Sequence, residues 1–336
     1  MKVLPSQINL KLRLAAISSC ALLFLIVVGT GATQKKPQID SPRRQQNESP
    51  GANGTNEQQI IVNTDLVTLN VTVTNADGFH VPGLTKQDFA ITDNKTPQEI
   101  TFFSDADLPL SVGIVFDVSG SMSGKKIAAA QEALATFIRT SHPDDEYFLI
   151  GFNSEPQLLL DRSRDGDAVI NKLSVVDPHG STALYDASYL ALDRVMRGVY
   201  PKRAILIISD GQDNNSRYSF SQLQRSLKES GVILYAIGSE GARIGMLDVY
   251  GKLLLAELAA VSGGRVFFPR NSNQMNEALE QIALELRHQY SIGYRPASFA
   301  LDGKWHRVKI KVMPPSGLKR VWVRSREGYY ADRSQR

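Results

Sequence analysis

Fourteen residues, SVGIVFDVSGSMSG at Ser111–Gly124, combine two signals. The first half is a short continuous apolar run, which is typical of a strand buried on both faces of a parallel sheet. The second half places the oxygens of Asp117, Ser119 and Ser121 at alternate positions, where that strand ends. The segment therefore predicts a buried strand that carries a cluster of side-chain oxygens at its carboxyl end.

Strands and helices alternate after this segment. The apolar periodicity predicts strands at Tyr147–Phe152, Gln157–Leu160, Ala204–Ser209, Val232–Gly238 and Arg265–Phe268. It predicts helices at Lys125–Ser141, Asp167–Leu173, Ala183–Val199, Ser219–Ser230, Leu253–Val261 and Gln274–Gln289. Such alternation indicates an α/β fold over residues 108–289, with a doubly wound, mostly parallel sheet and helices on both faces.

The segments on either side of this region are rich in strands. Val67, Leu69, Val71 and Val73 alternate with polar residues, and the same two-residue period returns after Tyr290. Residues 60–107 and 290–332 each offer about three strands, too few for a comfortable sandwich on their own. We expect the two segments to form one small β-sandwich, into which the α/β domain is inserted.

The N-terminal region resembles a targeting signal followed by a linker. Basic residues precede an apolar run at Leu14–Val28, and small residues follow up to Ala32, which is the layout of a cleavable signal peptide over residues 1–32. An uncleaved membrane anchor is the alternative, although the run is short for a span of about 20 residues. Residues 33–59 contain few apolar side chains and are predicted to be a disordered linker.

Composition excludes several kinds of chemistry. The single cysteine, Cys20, lies in the predicted signal, so the mature chain would have neither disulfides nor thiolate ligands. Three of the 38 Lys and Arg residues and none of the 34 Asp and Glu residues lie in residues 1–32, so the net charge of +4 falls to +1 on cleavage. A nearly neutral chain gives no reason to expect nucleic acid binding.

Four readings of the serine-rich segment can be tested by spacing. A phosphate-binding P-loop needs four residues between its glycines and a hydroxyl after the lysine, whereas Gly120–Gly124 is one residue short and is followed by two lysines. A nucleophile elbow needs G-x-S-x-G, which is absent here. A hard-cation site and a simple turn, in which Ser121 or Ser123 caps the next helix, both remain open.

Oxygen-bearing residues also occur at two other loops. Gly180-Ser181-Thr182 precedes a predicted helix, and Asp210-Gly211 follows a predicted strand. Each has an ordinary explanation, as a helix cap or as a turn. In a doubly wound sheet, however, loops at the carboxyl ends of adjacent central strands converge on one crevice. Their joint occurrence therefore favours a cation site.

The sequences DVSGSMSG, GSTALYDA and ISDGQDN together resemble the von Willebrand factor type A (VWA) domain and its metal-ion-dependent adhesion site, D-x-S-x-S with a distant Thr and Asp. The flanking strands are similar to bacterial VWFA-related proteins of the acidobacterial type. The resemblance implies that Ser119, Ser121 and Thr182 ligate Mg²⁺ directly, with Mn²⁺ or Ca²⁺ as alternative ions. Asp117 and Asp210 would act mainly through waters and hydrogen bonds, and one coordination position would take a partner's Asp or Glu.

Three neighbouring residues are candidates for a partner-binding rim. Asp213 and Asn214 follow Asp210 in the same hydrophilic loop, and His179 precedes the Thr182 loop. Asp186 lies one turn into its predicted helix, where a structural role near the positive end of the helix dipole is expected.

These features predict an exported, non-enzymatic binding protein that engages a protein partner, or mediates adhesion, through a bridging divalent cation. We expect it to be secreted or periplasmic, or membrane-anchored if the signal is retained. A metal-dependent hydrolase is one alternative, although no general base is evident. The other is an interaction protein that binds through its β-sandwich.

Overall fold

The computed structural model describes residues 66–122, 125–174, 176, 178–238, 246–296, 303–313 and 320–331. The predicted signal peptide, the predicted linker and the candidate helix cap Ser123 lie outside these ranges. Of the helices described, none combines the length and the apolar character needed to cross a membrane.

The secondary structure alternates as expected in the middle of the chain. The described strands are β1 (Val67–Thr74), β2 (Phe89–Asp93), β3 (Thr96–Gln98), β4 (Ile100–Ser104), β5 (Ser111–Asp117), β6 (Glu146–Phe152), β7 (Pro156–Ser163), β8 (Arg203–Ser209), β9 (Ile233–Gly238), β10 (Val266–Phe267), β11 (Tyr290–Tyr294), β12 (Trp305–Val312), β13 (Trp322–Arg324) and β14 (Gly328–Tyr330). The described α-helices are α1 (Lys125–Thr140), α2 (Gly166–Ser174), α3 (Leu184–Met196), α4 (Phe220–Ser230), α5 (Met246–Ser262) and α6 (Ser272–Arg287).

The central sheet has the spatial order β10-β9-β8-β5-β6-β7. Its pairs are parallel except for the edge strand β7, which runs antiparallel to β6. All seven residues of β5 are buried, which explains the unbroken apolar run in the sequence. Apolar residues of α1 and α6 cover one face of the sheet, and those of α3, α4 and α5 cover the other. The doubly wound α/β fold is confirmed.

The flanking segments form two four-stranded antiparallel sheets, each of which combines strands from both ends of the described chain. One has the order β13-β1-β11-β4 and the other β14-β12-β2-β3. Leu69 and Ile292 from the first sheet share one apolar core with Ile91 and Val308 from the second. Segments separated by the whole α/β domain therefore complete each other, and the β-sandwich of the predicted fold class is confirmed.

One helix is longer than the sequence indicates. The predicted helix at Leu253–Val261 extends over Met246–Ser262 in the structure. It contains Gly251, although glycine is normally unfavourable in the interior of a helix. A Cβ atom on Gly251 would lie 3.0 Å from the carbonyl oxygen of Asp210 and 2.9 Å from the carbonyl carbon of Gly211. The glycine therefore allows α5 to pack directly on the loop that follows β8.

Candidate functional site

The first two predicted site residues lie at the carboxyl ends of neighbouring parallel strands. Asp117 ends β5, and Asp210 directly follows β8. Both side chains are buried, with 0% and 1% exposure. The hydroxyl of Ser209 donates a 2.6 Å hydrogen bond to Oδ2 of Asp117, which joins the two strand ends.

Ser119 is positioned by Asp117. Its backbone amide donates to Oδ1 of Asp117 at 2.9 Å, and its carbonyl accepts the amide of Met122 in a short 3-10 helix at Gly120–Met122. The chain therefore turns sharply immediately after the strand, and Ser119 is 1% exposed. The side chain of Ser121 lies outside the described part of the structure.

The loop carrying Thr182 is held against both of these strand ends. The carbonyl of Gly180 in the Thr182 loop accepts the amide of Gly120 at 3.3 Å, and this bond ties the Thr182 loop to the loop after β5. The amide of Thr182 donates to Oδ1 of Asn214 at 2.9 Å, and this bond ties the Thr182 loop to the loop after β8. The structure thus brings Asp117, Ser119, Thr182 and Asp210 to one edge of the sheet, although they are far apart in the sequence.

The site has an excess of negative charge. Burial is the main cause that raises the pKa of Asp117 to about 6; the nearby Asp210 carboxylate adds to the rise, while hydrogen bonds from Ser119 and Ser209 oppose it. No ion pair to Asp117 or Asp210 is found among the described residues. In the same part of the chain, no group of three His, Cys, Asp or Glu residues could hold a metal ion. The candidate ligands are two buried carboxylates and nearby hydroxyl groups. Because all of these donors are oxygens, the site fits a hard cation better than zinc, which prefers nitrogen and sulfur ligands.

The candidate rim residues differ in their surroundings. Oδ2 of Asp213 accepts hydrogen bonds from the Tyr185 amide at 3.0 Å and from the Ser216 hydroxyl at 2.6 Å. Asp213 therefore fastens the first turn of α3 to the loop after β8. Asn214 and His179 are exposed, although Asn214 also holds Thr182.

Asp186 accepts hydrogen bonds from the backbone amides of Arg217 and Tyr218, at 2.9 and 3.0 Å. These contacts fit the structural role expected from its position near the start of α3.

Two positioning residues escaped the sequence analysis. Ser209 is the last residue of β8 and belongs to no recognisable motif. Its position directly before Asp210 is the only signal in the sequence that could have indicated its role. Ser154 follows β6, and its hydroxyl accepts the amide of Ser181 at 3.1 Å. Both contacts depend on which strands are neighbours, and the motif pattern does not contain that information.

Comparison with known families points to one domain type. Residues 112–212 match the family model for the von Willebrand factor type A domain. Mouse inter alpha-trypsin inhibitor, heavy chain 4, is 29% identical over 143 residues, which cover 38% of this chain and 15% of that protein. The matches cover less than two thirds of the length of each of the first three curated relatives.

Solved structures with similar folds include a von Willebrand factor type A protein from Catenulispora acidiphila. It is 13% identical with a TM-score of 0.45, and the match covers 79% of this chain and 75% of that one. Another is proximal thread matrix protein 1 from the mussel byssus with a zinc-occupied MIDAS motif, at 18% identity and a TM-score of 0.47, covering 58% of this chain and 49% of that one. The family-model match, together with the doubly wound sheet, supports a von Willebrand factor type A domain in this chain.

Proposed function

We propose that this chain is an exported binding protein, which engages an acidic residue of a protein partner through a divalent cation held by Asp117, Ser119, Ser121, Thr182 and Asp210. The observation that carries the proposal is the convergence of three loops on two buried carboxylates that have no described cationic partner. A buried carboxylate without a counter-charge is costly, and a bound cation offsets that cost.

The chemistry of the donor set favours Mg²⁺, with Mn²⁺ and Ca²⁺ as alternatives. Hydroxyl and carboxylate oxygens are ligands that these hard cations prefer. The serine and threonine hydroxyls would hold the ion directly, while Asp117 and Asp210 would orient them and accept hydrogen bonds from bound water. A bound ion of this kind supplies an open coordination position, and a carboxylate from another protein fits that position.

The surrounding residues keep the site in place. Ser209 and the amide of Ser119 hold the two oxygens of Asp117, and Asn214 holds the Thr182 loop. Asp213 is proposed to act mainly through α3, whereas the exposed residues His179 and Asn214 are proposed to contact a partner at the rim. Such preorganisation lowers the entropic cost of binding.

Interaction rather than catalysis is the better proposal for this edge of the sheet. Among the described residues, no histidine is seen to accept a hydrogen bond from a hydroxyl of the site, as a general base that activates a nucleophile would. The signal-like N-terminal sequence supports export to the periplasm or the medium. A β-sandwich that binds independently remains the competing interaction hypothesis, and truncation of the α/β domain separates the two.

The metal can be tested without knowing the partner. Titration calorimetry with Mg²⁺ and Mn²⁺ should show one site in the wild-type chain and none in Asp117→Ala or Thr182→Ala. Asp144→Asn provides a control, because Asp144 is exposed and lies at the opposite end of β6. Equal metal binding by wild type and Asp117→Ala would refute the site.

The carboxylate requirement needs a second experiment. Beads bearing a short glutamate-containing peptide should retain the wild-type chain in Mg²⁺ and release it in EDTA, whereas matched beads with glutamine in place of glutamate should not retain it. Retention that is equal on both beads, or unaffected by EDTA, would contradict a bridging cation.

A further inference from the structure

A cavity lies at the edge of the central sheet opposite the candidate cation site. Its volume is about 480 Å³. Leu108 and Lys202 in its wall precede β5 and β8, and Ile233 begins β9, so the cavity lies at the amino ends of these strands. Residues of β1, β4 and β11 and of the segment before β14 complete the lining, so both the α/β domain and the β-sandwich contribute to it.

Arg326 contributes a guanidinium group that forms no ion pair with the residues that the structure describes. Nη2 donates to the carbonyl of Thr68 at 3.0 Å, and Nε is buried without a hydrogen-bond partner. Its nearest aromatic contact is the ring of Tyr329, 5.9 Å from the guanidinium carbon. No ion pair of Arg326 occurs among the described residues. The donors of this cation are therefore mostly unused, and such a group is costly unless something pairs with it.

The glycine at the end of α4 lets the guanidinium approach the helix end closely. A Cβ atom on Gly231 would lie 3.0 Å from Nη1 of Arg326. Gly231 has a φ of +66°, so the helix cap itself favours glycine. The same residue therefore ends the helix and allows the guanidinium to pack against the helix end.

Lys202 is a second cation in the wall. It is 6% exposed, and its Nζ has no hydrogen-bond partner among the described residues. Asp107 and Asp145 attract it electrostatically, but neither forms a described ion pair with it, and burial lowers the pKa of Lys202. No aspartate or glutamate is among the residues that line the cavity. The described lining therefore contains two basic residues and no acidic one.

The rest of the wall has two kinds of surface. Apolar side chains form one part, namely Leu66, Phe102, Leu108, Pro201 and Ile233. Uncharged polar side chains form the other, namely Thr68, Asn70, Ser104, Ser230, Ser262 and Ser291. Ser230, Ser262 and Ser291 already donate within the protein, which leaves the hydroxyls of Thr68 and Ser104 as further donors.

We propose that this cavity binds a small amphipathic anion, with a carboxylate or phosphate head against Arg326 and Lys202 and a short hydrocarbon body against the apolar wall. Charge-assisted hydrogen bonds to a guanidinium are among the stronger polar contacts in proteins. Because residues of both domains line the cavity, a bound anion would also stabilise their contact.

The probes are hexanoate and hexyl phosphate, with hexanol and hexylamine as neutral and cationic controls, titrated into the full chain in EDTA. Calorimetry should detect one site for at least one of the anions and none for the two controls. Arg326→Gln should weaken the Kd about tenfold or more, as expected for loss of a hydrogen bond to a charged group. Lys202→Met should also weaken it, and the exposed Arg270→Gln should leave it unchanged.

The proposal would be overturned by binding of neither anion to the wild type, or by an unchanged Kd in both Arg326→Gln and Lys202→Met. Equal binding of hexylamine would reduce the cavity to a hydrophobic one and would also refute the proposal. Because EDTA is present throughout, these outcomes are independent of the cation site at Asp117.

Discussion

The hydroxyl of Ser209 lies 2.6 Å from Oδ2 of Asp117, across the boundary between β8 and β5. The other carboxylate oxygen accepts the amide of Ser119 at 2.9 Å. Asp117 is thus held from the end of β8 and from the loop after β5, and one of its two partners lies outside the D-x-S-x-S pattern. The geometry of the candidate cation site therefore depends on the pairing of neighbouring strands as well as on the motif.

The contact between Ser209 and Asp117 predicts a loss of metal affinity in Ser209→Ala. Without the hydroxyl, one oxygen of Asp117 loses its donor, and the carboxylate is free to turn away from Ser119. Removal of groups that orient metal ligands typically costs about 10- to 100-fold in affinity. Calorimetric titration with Mn²⁺ measures the change.

Ser181→Ala is the matched control for this prediction. Ser181 lies in the neighbouring Thr182 loop and is exposed, and it uses its backbone amide to contact Ser154. The affinity of this variant for Mn²⁺ should equal that of the wild type. Equal losses in the two variants would show that any small change near the site weakens binding, and would remove the special role of Ser209.

Asp117 also predicts a pH dependence of the metal-free protein. Its pKa in the folded state is about 6, against an ordinary value of 3.8, so the folded chain binds this proton more tightly than the unfolded chain. The free energy of unfolding should therefore fall as pH rises from about 4 to about 6 and then stay level, with a total loss of up to about 3 kcal/mol. In Asp117→Asn the side chain does not titrate, so this contribution to the pH dependence of the free energy of unfolding should be absent.

Urea unfolding of wild type and Asp117→Asn in EDTA, at pH 4.5 and pH 7.5, tests this dependence. The gain in stability of the variant over the wild type should be larger at pH 7.5. Adding Mg²⁺ at pH 7.5 should stabilise only the wild type, because a ligand that binds the folded state shifts the equilibrium toward it. A difference between the two proteins that is the same at both pH values would contradict the expectation.

The close approach of α5 to the loop after β8 predicts that Gly211→Ala is strongly destabilising. Gly211 has a φ of +80°, and a Cβ atom there would lie 2.6 Å from the carbonyl oxygen of Gly251. The substitution combines the cost of a left-handed backbone, about 1–2 kcal/mol, with a steric clash against a helix backbone.

Gly303→Ala separates these two contributions. Gly303 has a similar φ of +68°, but a Cβ atom added there would have no other atom within 4 Å. Its cost should be the backbone term alone, and it should leave metal affinity unchanged. Gly211→Ala should cost more in urea unfolding and should weaken Mn²⁺ binding through displacement of Asp210. Equal costs in the two variants would show that the contact with α5 is unimportant.

Local patterns were sufficient for the elements and for the candidate ligands. The apolar run before Asp117 indicates a strand buried on both faces, and the structure shows all seven residues of β5 buried. The alternation of strands and helices predicts the doubly wound sheet, because parallel strands need crossover helices. The apolar periodicity does not indicate the first turns of α5, because Asp248, Gly251 and Lys252 interrupt it. Gly251 is suited to this position because it packs against the loop after β8, which the local pattern does not contain.

The sequence by itself determined the α/β architecture, the sandwich contributed by both flanks, and the oxygen-bearing residues proposed as cation ligands, because these depend on periodicity and on short-range spacing. Only the tertiary structure decided that Ser209 holds Asp117, that Asp213 fastens α3, and that Arg326 and Lys202 share a cavity without a carboxylate. Those relationships join residues distant in the chain, and they arise from strand order and domain packing, which no local pattern specifies.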